Sequence, residues 1–319
     1  MRHRFSVVGS VVADIIIHTT KEFKLIKDRL SFPFDSKISI KKIRFDIGGS
    51  AHNLSTNLSN LGNEVHLFSK IGKDSNGDLI LKSLKRFKVK LKNVKRIEED
   101  LSGFSLVFLY NHEKSIIVYR GANNLIGKED VDEKTIKKSE WFIFTSLISD
   151  KNIEFLKGAL KIAKENGVKI LSNPSSSMIN YRKKELLSFI SSSDLLILNN
   201  KEALKLSNTT KVDRAINVLR KKVEKGIVTL GSKGCIVWEG KKTKRVKAYK
   251  VKVADTTGAG DSFSAGVIHA FSRGLKLEKA AKFGSAVSAL VIQVEGATTW
   301  LPKEHDVIEF LRKRGENFV

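Results

Sequence analysis

Between Val246 and Gly274 the chain changes character within a few residues. Val246 to Val253 alternates toward a β-branched strand, and Phe263, Val267, Ile268, Ala270 and Phe271 then recur at helical spacing until Gly274. Gly258-Ala259-Gly260-Asp261 lies between them, a glycine-rich turn that opens a helix. Such a turn presents backbone N–H groups at the positive end of the helix dipole, which suits an anion such as a phosphate. Two glycines permit the sharp backbone and leave no side chain between amides and ligand. Asp261 is out of place for a resident anion, because its carboxylate would repel it. The conflict disappears if the anion is a phosphoryl group in transit and the carboxylate takes the proton of the attacking hydroxyl. The competing reading is a strand–turn–helix junction with a capping aspartate.

The rest of the chain bounds what such a turn can serve. With 319 residues it can bury one large core or two small ones. No apolar run is long enough to span a bilayer. Basic Met1-Arg2-His3-Arg4 before apolar Phe5 to Val8 reads as a first strand and not as a secretory signal. The single Cys235 excludes an internal disulfide and a cysteine metal site, and fits a reducing cytoplasm. Its neighbours Ile236-Val237-Trp238 predict a buried strand thiol. The net charge of +24 would attract polyanions. The basic residues are spread over nearly every segment, with no zinc pattern and no stripe of interleaved aromatic and basic residues. That distribution argues against a nucleic-acid partner, and a positive field equally suits nucleotides. A nucleic-acid-associated or regulatory binding module is the alternative from another class.

Before the turn, strands and helices alternate. Trp141–Phe144, Val168–Leu171, Leu195–Leu198 and 227–231 read as strands separated by helical stretches such as 151–165. This rhythm predicts an α/β fold, a mainly parallel central sheet with helices on both faces and ligands at the carboxyl ends of the strands. Polar, locally alternating pieces such as Lys37 to Ile40, with 103–110 and 114–120 around Asn111-His112-Glu113, predict a small β-sheet lid from about 11–45 and 98–122. Asp14 falls inside the run Val11 to Ile17, where a carboxylate is costly unless it faces a cleft. Gly48-Gly49 precede a helix beginning near Ser50, and Asn53 on it offers both donor and acceptor to a hydroxyl. His52 reads as a helix-surface or packing histidine, not a ligand or catalyst. Asp74, in Gly72-Lys73-Asp74-Ser75-Asn76-Gly77, is placed to cap the next helix.

Asp255-Thr256-Thr257-Gly258-Ala259-Gly260-Asp261-Ser262-Phe263 resembles the C-terminal signature of the ribokinase family, the PfkB carbohydrate kinases. Gly48-Gly49 with Asn53 resembles its N-terminal signature, and the motifs stand in the family's order along nearly the whole chain. The resemblance implies a ribokinase-like fold, with ATP and Mg2+, that moves the γ-phosphoryl group to a hydroxyl of a sugar or, alternatively, of a nucleoside. In that reading Asp261 is the base and Gly258, Ala259 and Gly260 form the anion hole. Asp14, Gly48, Gly49, Asn53 and Asn123 hold the acceptor. Asn199, Thr229, Gly231, Gly234 and Gly260 contact the nucleotide, and Glu202 steadies magnesium through water. For Asn199 and Glu202 a plain capping box competes. Relatives often hold a monovalent cation on backbone oxygens near Asp255 and Gly296-Ala297, and many pair as homodimers through the lid. For Arg120 the sequence leaves open a phosphate contact or a surface ion pair.

Overall fold

The structure, a computed structural model, describes residues 2–27, 29–110 and 113–317. In chain order its strands are β1 (Arg4–Val8), β2 (Val12–His18), β3 (Lys24–Ile26), β4 (Arg29–Ser31), β5 (Lys42–Gly48), β6 (Glu64–Gly72), β7 (Val94–Ile97) and β8 (Phe104–Tyr110). They continue as β9 (Glu113–Tyr119), β10 (Trp141–Phe144), β11 (Lys169–Ser172), β12 (Leu195–Asn199), β13 (Lys225–Thr229), β14 (Cys235–Glu239) and β15 (Lys242–Val246). The central sheet runs in the order β15-β14-β13-β12-β11-β10-β1-β6-β7. It is parallel from β13 to β7, with β14 and β15 added antiparallel at one edge.

Both faces are covered over the inner strands β1, β10, β11 and β12, which together are apolar at most positions, while the edge strands β7 and β15 are more polar and more exposed. Phe5, Val7, Ile143, Leu171, Ile197 and Ile227 point into one helix layer. Val8, Phe144, Leu196, Leu198, Val228 and Ile236 point into the other. The first layer contains the helices Ser50–Asn60, Ala259–Ser272 and Leu277–Val291. The last two cross with backbones almost touching: a Cβ on Gly266 would lie 2.8 Å from Cα of Gly284. This contact locks the helix whose first turn carries Asp261. Cys235 is buried as expected, and burial pushes its thiol up to about 12, so it is not a nucleophile at neutral pH.

A second sheet, ordered β5-β2-β8-β9, forms the lid. Period-two alternation gives it two unlike faces. Asp14, Ile16, Ser105, Val107, Ile116 and Val118 face a pocket below. Ile43, Phe45, Ile117 and Tyr119 are exposed on the other side.

Two sequence expectations fail. Lys37 to Ile40 is not a strand; the chain pairs with β2 only from Lys42, and β3 with β4 makes a separate hairpin. The strand expected over Val246–Val253 is β15 and ends at Val246. Beyond it Tyr249 and Val251 still pack on the core, so the alternation records packing of an extended segment without a neighbouring strand. The expected lid turn at Asn111-His112 lies outside the described residues.

Candidate active site

Gly258 opens the helix Ala259–Ser272 with φ 76° and ψ 0°, and no side chain caps that end. The left-handed conformation is one that glycine alone adopts cheaply, and a Cβ here would lie 2.9 Å from Cβ of Ala297. Asp261 therefore does not cap its own helix. The first i−4 bond is Ser262 N–H to Gly258 O at 2.9 Å, so the N–H groups of Gly260 and Asp261 precede the helical ladder and are not used by it. The Ala259 amide is engaged in the turn, donating to Thr256 O at 3.2 Å.

Asp261 faces the lid pocket and accepts from Asn53 Nδ2 at 2.9 Å. Burial pushes its pKa up to about 6, against the pull of Asn53 and Lys114, while Glu202 adds a like-charge push. The carboxylate is thus poised near neutrality, where a general base works best. Asp14 is similarly pushed to about 6 by burial, offset by the Ser105 hydroxyl, which donates to its Oδ1. Gly48 lies beside it: a Cβ there would sit 2.1 Å from Asp14 Oδ2, so a side chain would displace that carboxylate. Gly49, at φ 90°, precedes the Ser50 helix, where a Cβ would strike Ser10 O at 2.4 Å.

Asp255 shapes the anion loop. Its Oδ1 accepts from Thr257 N and Oγ1, and its Oδ2 from Gly296 N at 3.1 Å and Arg44 Nη2 at 3.3 Å. Burial would raise its pKa, but these bonds bring it below the usual carboxylate range. Arg44 comes from lid strand β5 and also meets Glu295 Oε1 at 2.6 Å, so lid and anion loop are pinned together.

The other expected residues divide. Asn123 lies in the pocket wall, but its amide is occupied: Oδ1 accepts from Val11 N, and Nδ2 donates to Val11 O and Arg120 O, each at 2.9 Å. It holds the strand-to-lid crossing in place. Asn199 and Glu202 form a reciprocal capping box with both bonds at 2.9 Å, and Glu202 also accepts from Ser176 Oγ at 3.2 Å. Burial raises the Glu202 pKa despite these donors. Thr229 is the cross-strand neighbour of Asn199 at the carboxyl edge of the sheet. Gly231 and Gly234 follow at φ 60° and 86°, and a Cβ on Gly234 would strike Val246 O at 2.0 Å. His52 is a packing residue, fully buried with Nε2 2.9 Å from Ser83 Oγ. Asp74 caps its helix through Gly77 N at 2.7 Å.

Sequence reasoning missed Lys114 and Arg44. Lys114 on β9 lines the pocket of about 300 Å³ that contains Asp14, Asn53, Gly258 and Asp261, and also the adjoining cleft of about 1370 Å³. That cleft carries Lys21, Lys24, Lys41, Arg44 and Lys201 over Asp255 to Thr257. The alternation Ile43-Arg44-Phe45-Asp46-Ile47 was visible, but not which of its faces turns inward. Among the described residues no three His, Cys, Asp or Glu side chains gather into a metal cage. A magnesium ion held largely by nucleotide oxygens and water needs none, and Glu202 is the acidic group that acts electrostatically on Asp261.

Comparison with known proteins agrees with this geometry. The chain is 28% identical to a ribokinase of Haemophilus influenzae, over 98% of this chain and 99% of that protein. It is 27% identical to a nucleoside kinase of Methanocaldococcus jannaschii, over 93% and 95% of the two chains. The structure of an Arabidopsis thaliana ribokinase complexed with ribose and ATP superposes with a TM-score of 0.83 at 26% identity, covering 97% of this chain and 99% of that one. The family model described as pfkB family carbohydrate kinase matches residues 3–304, so a chain with this lid, this glycine turn and this half-buried aspartate belongs to the pfkB family of carbohydrate kinases.

Proposed function

We propose that Asp261 takes the proton from an acceptor hydroxyl as that oxygen attacks the γ-phosphorus of ATP, forming a phosphate monoester and releasing ADP. The observation that carries this is one carboxylate, lifted to about 6, beside an uncapped helix N-terminus in a lid-covered pocket. Its partner Asn53 orients the carboxylate through the 2.9 Å bond. The unused N–H groups of Gly260 and Asp261 would face the migrating phosphoryl, whose charge is the main thing to be stabilised. Asp14, with Ser105 and the Gly48-Gly49 approach, would fix the acceptor by its hydroxyls. Lys114 would lie over the site from the lid and offset phosphate charge. Magnesium, placed through water near Glu202, would neutralise nucleotide phosphates. The turn at Thr229, Gly231 and Gly234, next to Asn199, would take the rest of the nucleotide.

The acceptor class is a sugar. A nucleoside is the second reading, favoured by the apolar pocket wall of Val12, Ile16, Val107, Ile116 and Val118, which suits a base. ADP release measured over a panel of sugars and nucleosides, beside Asp261→Ala, tests both. Acceptor-dependent ADP release that the substitution abolishes is expected. Equal silence of both proteins on every acceptor, with salt-sensitive DNA or RNA binding, would favour the binding-module alternative.

A further inference from the structure

Arg120 closes the lid strand β9 and lines the acceptor pocket from a half-buried position. Of the other half-buried arginines, Arg44 is paired with Asp255 and Glu295 and Arg182 with Asp150 and Glu185, while Arg220, away from the pocket, donates to Lys241 O and Thr243 Oγ1. Arg120 has no such partner. Among the described residues no carboxylate reaches it, and its one polar contact is Nη1 to Ser146 Oγ at 3.3 Å. A guanidinium carries five donors, and withdrawing it from water without an acid is costly. Ser146 follows β10, and its hydroxyl accepts from Ser175 Oγ, which follows β11, at 2.7 Å. Ser177 lines the same wall. A guanidinium and three hydroxyls thus border the pocket on a wall separate from the helices that supply Asn53 and Asp261.

We propose that this wall is an anion subsite, and that the acceptor is a small polyol bearing one carboxylate or phosphate in addition to the hydroxyl that is phosphorylated. The inference rests on the kinase reading above and narrows its substrate class. Asp14 would repel an anion at its own end of the pocket. Of the other cations lining it, Arg44 is taken up by Asp255 and Glu295 and Lys114 also borders the adjoining cleft, which leaves Arg120 to receive the acceptor's charged group. The volume of about 300 Å³ holds one ring or a six-carbon chain, and the net charge of +24 draws anionic acceptors toward the cleft.

The test compares acceptors matched in carbon skeleton, with and without an anion: gluconate against its neutral open-chain counterpart sorbitol, ribose 5-phosphate against ribose, and fructose 6-phosphate against fructose. Wild type should favour the charged member of at least one pair in kcat/KM; the gluconate pair reports a carboxylate subsite, the other two a phosphate subsite. Arg120→Gln should lower that preference about 10- to 100-fold, and Arg120→Lys should restore part of it. Calorimetric titration of the same compounds without nucleotide reads the subsite independently of turnover. There the charged member should bind more tightly to wild type, and that advantage should vanish in Arg120→Gln. A neutral preference in every pair, or an equal loss on both members, overturns the subsite and leaves the kinase reading standing. Silence in the kinetic assay with charge-selective titration overturns the kinase reading and leaves the subsite.

Discussion

Replacing Asp261 with Asn should disable the enzyme and stabilise the protein. Burial lifts this carboxyl from 3.8 to about 6, so holding it charged in the folded state at neutral pH costs about 3 kcal/mol, at about 1.4 kcal/mol per tenfold in the proton equilibrium. The sign follows from linkage. The folded chain binds this proton more tightly than the unfolded chain, so the group's contribution is most favourable below pH 3.8 and is lost as pH rises through about 6. A neutral amide of the same shape removes that penalty, and its oxygen can still accept from Asn53 Nδ2. Solvent reaches the carboxylate through the pocket, so the realised gain is about 1–2 kcal/mol, an increase of a few degrees in Tm at pH 8 that disappears near pH 4. Loss of the base should lower kcat about 10²- to 10⁴-fold. Calorimetric melts across pH, run beside turnover, check both. A variant that melts lower than wild type at pH 8, or that keeps its turnover, would refute the assignment of Asp261 as a base whose charge burial disfavours.

Further outcomes follow from the same geometry. In wild type, kcat/KM should fall as pH drops below about 6, with a slope exceeding one if Asp14 must also be ionised; a profile flat down to pH 5 would contradict this. Gly258→Ala should cost about 1–3 kcal/mol in a denaturant melt and most of kcat, because φ 76° and the 2.9 Å approach to Ala297 both resist a methyl group. Arg44→Met should raise KM for ATP or acceptor by about tenfold, having cut the lid's ties to Asp255 and Glu295. We further propose that the exposed lid face of Ile43, Phe45, Ile117 and Tyr119 pairs two copies of the chain. Phe45→Lys should then convert a dimer to a monomer in sedimentation velocity, and a wild-type monomer would dismiss the idea.

Much of the scaffold was legible because burial on both sheet faces writes apolar runs, as in Trp141–Phe144 and Leu195–Leu198. The glycines at 49, 234 and 258 could be read for a different reason: close approach and left-handed backbone admit little else. The lid was harder. Its strands are short, and one face is open, so Lys37 to Ile40 alternates as well as Lys42–Gly48 does. Only pairing with β2 decides between them. The inward set of Arg44, Lys114 and Arg120 depends on that register and on the fold of the lid over the sheet, which local pattern does not encode. Asn123 shows the opposite limit. A buried amide in a pocket wall looks like a ligand contact until its three backbone bonds are seen.

The central claim is phosphoryl transfer to a hydroxyl in the pocket beneath the lid. Phosphorus NMR of wild-type reactions with ATP and each acceptor tests it most directly. A new monoester resonance should grow in step with ADP, and should be absent when Asp261→Asn replaces the wild type. ATP breakdown that yields inorganic phosphate alone, at a rate indifferent to the acceptor, would contradict it.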